Sequence, residues 1–136
     1  MGDNTILYLP KTNGVPKCLH AIRRQIIAEQ KYEDRFYNHD LDDFAICIND
    51  GHYLPEHVDL IRDKENSTYE HNRANWVVSA PEFGGHIVDD DSEYIPEIGK
   101  IYYVNAKKSH SVTMVKGDTP LILYSFGFVK RHSNYV

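Results

Sequence analysis

The stretch Asn49-Asp50-Gly51-His52-Tyr53-Leu54-Pro55-Glu56-His57-Val58-Asp59 decides how this chain is read. It opens on Asn-Asp-Gly, a tight-turn signal, and runs through a β-rich segment to His57-Val58-Asp59. Side chains two apart in an extended strand point to the same face. His57 and Asp59 therefore converge on one point while Val58 packs on the other side. By itself such a pair is common, and two polar residues on a solvated strand face produce the same pattern. The eight histidines of the chain supply many chance partners.

Outward from this stretch, short β-rich runs alternate with Gly, Pro, Asn and Asp at the spacing of a sandwich or barrel. Strands are expected near 44–48, 52–58, 73–80, 86–88, 93–95, 100–104, 109–115 and 121–128. Lys116-Gly117-Asp118 reads as a second tight turn, and Gly84-Gly85 as a bend or close backbone approach. Upstream, Thr5 to Pro10 is a short strand ended by proline. A helix is expected from Pro16, which suits a first helical turn, to about Arg35. Its apolar side would carry Leu19, Ile22, Ile26 and Ile27, and its wet side Arg23, Arg24, Gln25, Glu29 and Gln30. One helix followed by about eight strands predicts a mainly β fold, a double-stranded β-helix (jelly-roll) with one N-terminal helix. The expected organisation is a single domain over 1–136, with an N-terminal strand and helix in 1–43 and the jelly-roll core in 44–136.

Composition sets the limits of function. At 136 residues, with 41% hydrophobic and 12% aromatic residues, the chain can bury a self-sufficient core. The net charge is −5 and no basic stripe is present, so no nucleic-acid partner is expected. Two distant cysteines, Cys18 and Cys47, make no disulfide framework. Cys47, inside Phe44-Ala45-Ile46-Cys47-Ile48, reads as a small buried hydrophobe. No signal peptide and no apolar run of spanning length is visible, so no membrane partner and a reducing cytoplasm are expected.

A third ligand for the His57–Asp59 point should come from a strand near in space and remote in sequence. His110 qualifies, inside Ser109-His110-Ser111-Val112-Thr113, which alternates as a strand does. Two histidines and one carboxylate leave three positions of an octahedron open, the facial arrangement of Fe(II) oxygenases. A structural zinc site would instead be closed by four ligands, usually with cysteine among them. The expected metal set is thus His57, Asp59 and His110, and the expected metal Fe(II).

From Asn49 to Phe128 the chain resembles the Fe(II)/2-oxoglutarate-dependent oxygenase superfamily, above all its compact prolyl hydroxylase-like and aspartyl/asparaginyl β-hydroxylase-like members. The matching pieces are Asp50-Gly51, His57-Val58-Asp59, Arg73 to Pro81, Gly84-Gly85, Gly99 to Val104, and His110-Ser111-Val112. Asp59 fits the prolyl hydroxylase-like pattern, and Asn72 to Pro81 is closer to the β-hydroxylase strand. The resemblance implies an Fe(II) centre with 2-oxoglutarate as cosubstrate, O2 as oxidant, and hydroxylation of an amino-acid or peptidyl side chain on a small-molecule or peptide substrate.

The resemblance breaks at Pro120. These families usually place a basic residue about ten positions after the distal histidine, where it salt-bridges the far carboxylate of 2-oxoglutarate. Proline has neither charge nor N–H. Arg73 is the favoured replacement, since it shares a strand face with Asn75, Val77 and Ser79 beside the metal pair. Ala74, Trp76, Val78 and Ala80, on the other face, are expected to pack in the core. Lys116 is the second candidate anchor, against its reading as a solvated turn lysine. Asn75 and Tyr124 would add neutral hydrogen bonds, with Tyr124 pointing into the barrel.

The Gly51-x5-His57-x-Asp59 spacing also resembles the first cupin motif. Gly99 to His110 keeps the spacing of the second, with Asn105 and Lys107 in place of its proline and glycine. A metallocupin dioxygenase or isomerase, or a jelly-roll binding module without catalysis, is therefore the alternative. His86 and Asp89 read as a solvated acidic loop, His52 lies on the wrong strand face for the metal, and His71 belongs to a polar loop over 62–72.

Overall fold

The computed structural model describes residues 5–9, 21, 24, 25, 43–58, 69–90, 92–106 and 108–131. Alternating apolar residues and turn signals resolve into strands β1 (Thr5–Leu9), β2 (Asp43–Ile48), β3 (Leu54–His57), β4 (Tyr69–Ser79), β5 (Phe83–Gly84), β6 (Ile87–Val88), β7 (Glu93–Tyr94), β8 (Ile101–Asn105), β9 (His110–Val112), β10 (Val115–Lys116) and β11 (Leu121–Arg131). They assemble into a five-stranded sheet ordered β1-β2-β11-β4-β8 and a four-stranded sheet ordered β3-β9-β6-β7, with β10-β5 as a separate ladder. From β2 onward the chain crosses repeatedly between the two large sheets, and every pairing is antiparallel. This interleaving is the topology of a jelly-roll.

The core lies between the sheets. Ile46 and Ile48 of β2, Val77 of β4, Ile87 of β6, Val104 of β8, Val112 of β9, Val115 of β10 and Leu121 and Leu123 of β11 form one cluster. Full burial of a side chain such as Leu121 or Ile48 stabilises the fold by about 1.5–3 kcal/mol. The strand parity follows. On β11, Leu121, Leu123 and Ser125 face inward, and on β4, Arg73, Asn75 and Val77 do. The expectation that Ala74, Trp76 and Val78 pack in the core is corrected accordingly: Val77 is fully buried in the cluster whereas Val78 is 48% exposed. Ala80 does pack against the core, and Ala74, though buried, lies opposite Phe126 on the outer face. Cys47 alternates with Ile46 and Ile48 and is only half-buried.

Several boundaries move. β4 begins at Tyr69, so His71 stands in a strand opposite Val129 and not in a loop. β1 pairs with β2 and extends the larger sheet. The expected helix falls outside the described residues except for Ala21, Arg24 and Gln25. Their backbone is helical and they are exposed, which does not establish the element. Among the described residues no helix is long and apolar enough to cross a membrane.

Two turns carry the closed end. Gly51, with φ at 80°, completes the Asn49 turn, where the His52 amide donates to the Asn49 carbonyl at 3.0 Å. Gly84 adopts φ of 70° where β5 meets β10, and a Cβ there would stand 1.9 Å from the Met114 carbonyl oxygen. No side chain can occupy that space without separating the two strands. Gly84→Ala should therefore destabilise the protein by about 2–4 kcal/mol, combining left-handed backbone strain with a main-chain clash. Thermal denaturation of the purified variant measures it, and an unchanged midpoint would contradict this account of the β5–β10 approach.

Candidate metal centre

β3 and β9 lie side by side, with Leu54 opposite Val112 and His57 opposite His110. Three steps on β3 match two on β9, so β3 carries a bulge at Pro55-Glu56. Without it Leu54 and His57, three residues apart, would point to opposite faces. The bulge turns both into the space between the sheets. Pro55 suits the position because β3 is an edge strand and the bulge needs no N–H there.

The result is a histidine pair. The His57 and His110 rings stand 4.2 Å apart between centroids, tilted by 56°. His110 is buried and His57 half-buried. Each ring is held the same way: Nδ1 of His57 lies 2.8 Å from the Pro55 carbonyl oxygen, and Nδ1 of His110 lies 2.8 Å from that of Lys108. A carbonyl oxygen only accepts, so Nδ1 is the donor in both rings, and in the neutral ring this leaves the lone pair on Nε2. This is how proteins orient histidines for metal binding. The donor chemistry of the pair therefore fits a divalent metal. Asp59, the expected third ligand, lies outside the described residues. Among the described residues no group of three His, Cys, Asp or Glu side chains is placed to hold a metal ion.

Both histidines line one cavity of about 40 Å³, together with Arg73, Asn75, Ser111 and Ser125 and the aliphatic side chains of Ile46, Leu54, Ile87, Val104, Val112 and Leu123. Arg73 is 6% exposed, and its Nη1 donates to the Ser125 hydroxyl at 3.2 Å. Asn75 donates to the Tyr102 carbonyl at 3.4 Å. A buried guanidinium favours an anionic ligand, and its fork matches a carboxylate. Arg73 and Asn75 thus stand in the same cavity as the histidine pair.

Two expected site residues do not. Tyr124 has the parity opposite to Leu123 and Ser125, and its ring packs on Phe126 at 5.2 Å on the outer face. Its alternation with Leu121 and Leu123 contained that information. Lys116 is exposed on β10, opposite Phe83, and does not line the cavity. Over 121–127 β11 offers no inward cation in place of Pro120: the inward residues there include Leu121, Leu123 and Ser125, and the Pro120 carbonyl accepts from Ser79 at 2.7 Å. Ser125 was missed by the sequence reading, although Leu-x-Leu-x-Ser marks it as inward. His86 is paired through Nδ1 with the Glu93 carboxylate, while Asp89 accepts from the Ser92 amide at 2.8 Å. These bonds tie the turn before β7 to β6.

No protein-family model matches the chain, and no curated protein does. Solved structures resemble it in fold. A viral collagen prolyl hydroxylase from Paramecium bursaria Chlorella virus-1, solved as its 2OG complex, is 17% identical with a TM-score of 0.63, over 94% of this chain and 78% of that one. A prolyl-4-hydroxylase from Pseudomonas putida is 15% identical with a TM-score of 0.59, over 98% and 74%. The cupin domain of an XRE-family transcriptional regulator from Enterobacter cloacae is 12% identical with a TM-score of 0.56, over 94% and 98%. The likeness is one of fold, shared by oxygenases and cupins alike.

The ring geometry has a spectroscopic consequence. In the neutral rings of the metal-free protein, 15N NMR should find Nδ1 protonated and Nε2 unprotonated in both His57 and His110. Free histidine favours the other tautomer, so two Nε2-protonated rings would contradict the carbonyl bonds.

Proposed function

We propose that this chain is a non-haem Fe(II), 2-oxoglutarate-dependent oxygenase that hydroxylates an amino-acid or peptidyl side chain. The observation that carries the reading is the His57–His110 pair, two rings in contact with both Nδ1 atoms tied to carbonyls. Asp59, two residues beyond His57, completes the ligand set. Fe(II) in such a site supplies open coordination positions and the redox chemistry of O2.

The chain's own residues do the rest. The Pro55 and Lys108 carbonyls hold the ligand rings in one tautomer. Arg73 grips the far carboxylate of 2-oxoglutarate from β4, in place of a base at Pro120. Asn75 and Ser125 offer neutral hydrogen bonds beside it, and the aliphatic walls exclude water. The likeness to two prolyl hydroxylases supports a peptidyl or amino-acid side chain as substrate.

A metallocupin dioxygenase or isomerase is the second reading. It is favoured by the uncharged inward face of β11 over 121–127 and by a cupin domain whose length is covered to 98%. Addition of Fe(II) and 2-oxoglutarate under nitrogen separates the two. The oxygenase gives a weak visible charge-transfer band, whereas a cupin takes up metal without the band.

Replacing His57, Asp59 or His110 with alanine should abolish stoichiometric Fe(II) binding while the far-ultraviolet circular dichroism stays that of the parent. Metal analysis after gel filtration reads this out, and full metal content in any of the three removes that residue from the ligand set. In protein that still holds Fe(II), Arg73→Ala should weaken 2-oxoglutarate binding by about 1.5–3 kcal/mol, roughly 10- to 150-fold. Lys116→Ala should leave that affinity unchanged. Equal affinities in Arg73→Ala and parent would end the case for the β4 anchor.

A further inference from the structure

The cavity beside the histidine pair has a floor. Its lining on β11 stops at Leu123, on β4 at Asn75, and on β2 at Ile46. Beneath stand Ile48, Val77, Val115 and Leu121, each fully buried. Leu123 is opposite Val77 and Ser125 is opposite Asn75, so Leu123 is the first inward side chain below the Arg73–Ser125 hydrogen bond. Pro120 lies five positions before Ser125, on the order of 15 Å further along the strand. A carboxylate resting on Arg73 cannot approach that depth without displacing the core.

The lining sets the second limit. With Ile48, Val77, Val115 and Leu121 packed beneath, the free space lies above Leu123, on the side of Arg73, Ser125 and the two histidines. The remaining carbons of an acid must then run from Arg73 towards His57 and His110. Towards the floor, an additional methylene meets the close-packed side chain of Leu123, 4% exposed.

We infer that Leu123 sets the length of the acid this site accepts, with Arg73 and Ser125 holding the carboxylate above it. The inference rests on the reading of the cavity as a 2-oxo acid site beside a metal. It assigns a specificity-determining role to a core leucine and admits 2-oxoglutarate while excluding its homologue longer by one methylene, 2-oxoadipate. Ser125 acts differently, since it bonds the guanidinium and touches every acid alike.

The test is calorimetric and needs no turnover. The 136-residue chain is loaded with redox-inert Mn(II), and the dissociation constants of 2-oxoglutarate and 2-oxoadipate are measured. The parent should bind 2-oxoadipate roughly 10- to 100-fold more weakly, the cost of forcing one methylene into a packed wall. Leu123→Ala should bring the two acids to within about threefold. Leu123→Val, which keeps most of the core contacts, should fall between. Ser125→Ala should weaken both acids by roughly 3- to 10-fold and leave their ratio as in the parent. If the parent binds both acids equally, or if neither Leu123 variant changes the ratio, the length-setting role is overturned and the 2-oxoglutarate reading stands. If the parent holds Mn(II) and binds neither acid, the cosubstrate reading falls and this inference falls with it.

Discussion

One ladder, β3 against β9, positions everything at the candidate site. It joins the turn-and-strand segment after β2 to a strand more than fifty positions further on, and it sets His57 directly across from His110. Antiparallel partners on one face hold their Cβ atoms about 4.5–5.5 Å apart, close enough for two imidazoles to address one point. The ladder alone would not suffice. The Pro55-Glu56 bulge turns His57 to the inside, and the same Pro55 supplies the carbonyl that fixes the ring. One irregularity thus serves both direction and protonation.

The larger sheet provides the opposite wall. β11 lies at its centre, bonded to β2 on one side and to β4 on the other. Its inward residues are apolar at the closed end, Leu121 and Leu123, and polar towards the histidines, at Ser125. β4 has the same gradient, from Val77 through Asn75 to Arg73. The jelly-roll is therefore a solid core at one end and a polar-lined pocket at the other. The Gly84 contact with Met114 and the Gly51 turn belong to the solid end, where main chains approach most closely.

Much of this was legible in the residues. Turn signals at Gly51, Gly84-Gly85 and Gly117 delimited most strands to within a few residues, but the strand expected over 109–115 divides into β9 and β10 in different ladders, and β5 was not expected. The pairing of His57 with His110 followed from strand parity and from the need for a remote ligand. What parity could not reveal was where it changes. Bulges in β3 and β4 each shift the alternation by one residue, and a register shift leaves no hydrophobic signature of its own. Pro55 was the available hint, since proline within a strand marks an edge or a bulge. Tyr124 was misplaced for another reason. It was aligned with Pro120, which precedes the strand, and not with Leu121 and Leu123, whose alternation defines the inner face. The helix over 16–35 and Asp59 lie, apart from Ala21, Arg24 and Gln25, outside the described residues.

The long pairing of β11 with β4, which continues past Ser125 to Tyr69, sets how freely a charge can be placed along this wall. Two neighbouring strands facing one cavity are interchangeable hosts for a charge. A guanidinium on either reaches nearly the same spot, because its side chain is longer than the gap of about 4.8 Å between them. Moving a base from one strand to the other therefore alters neither the backbone nor the charge that the cavity presents.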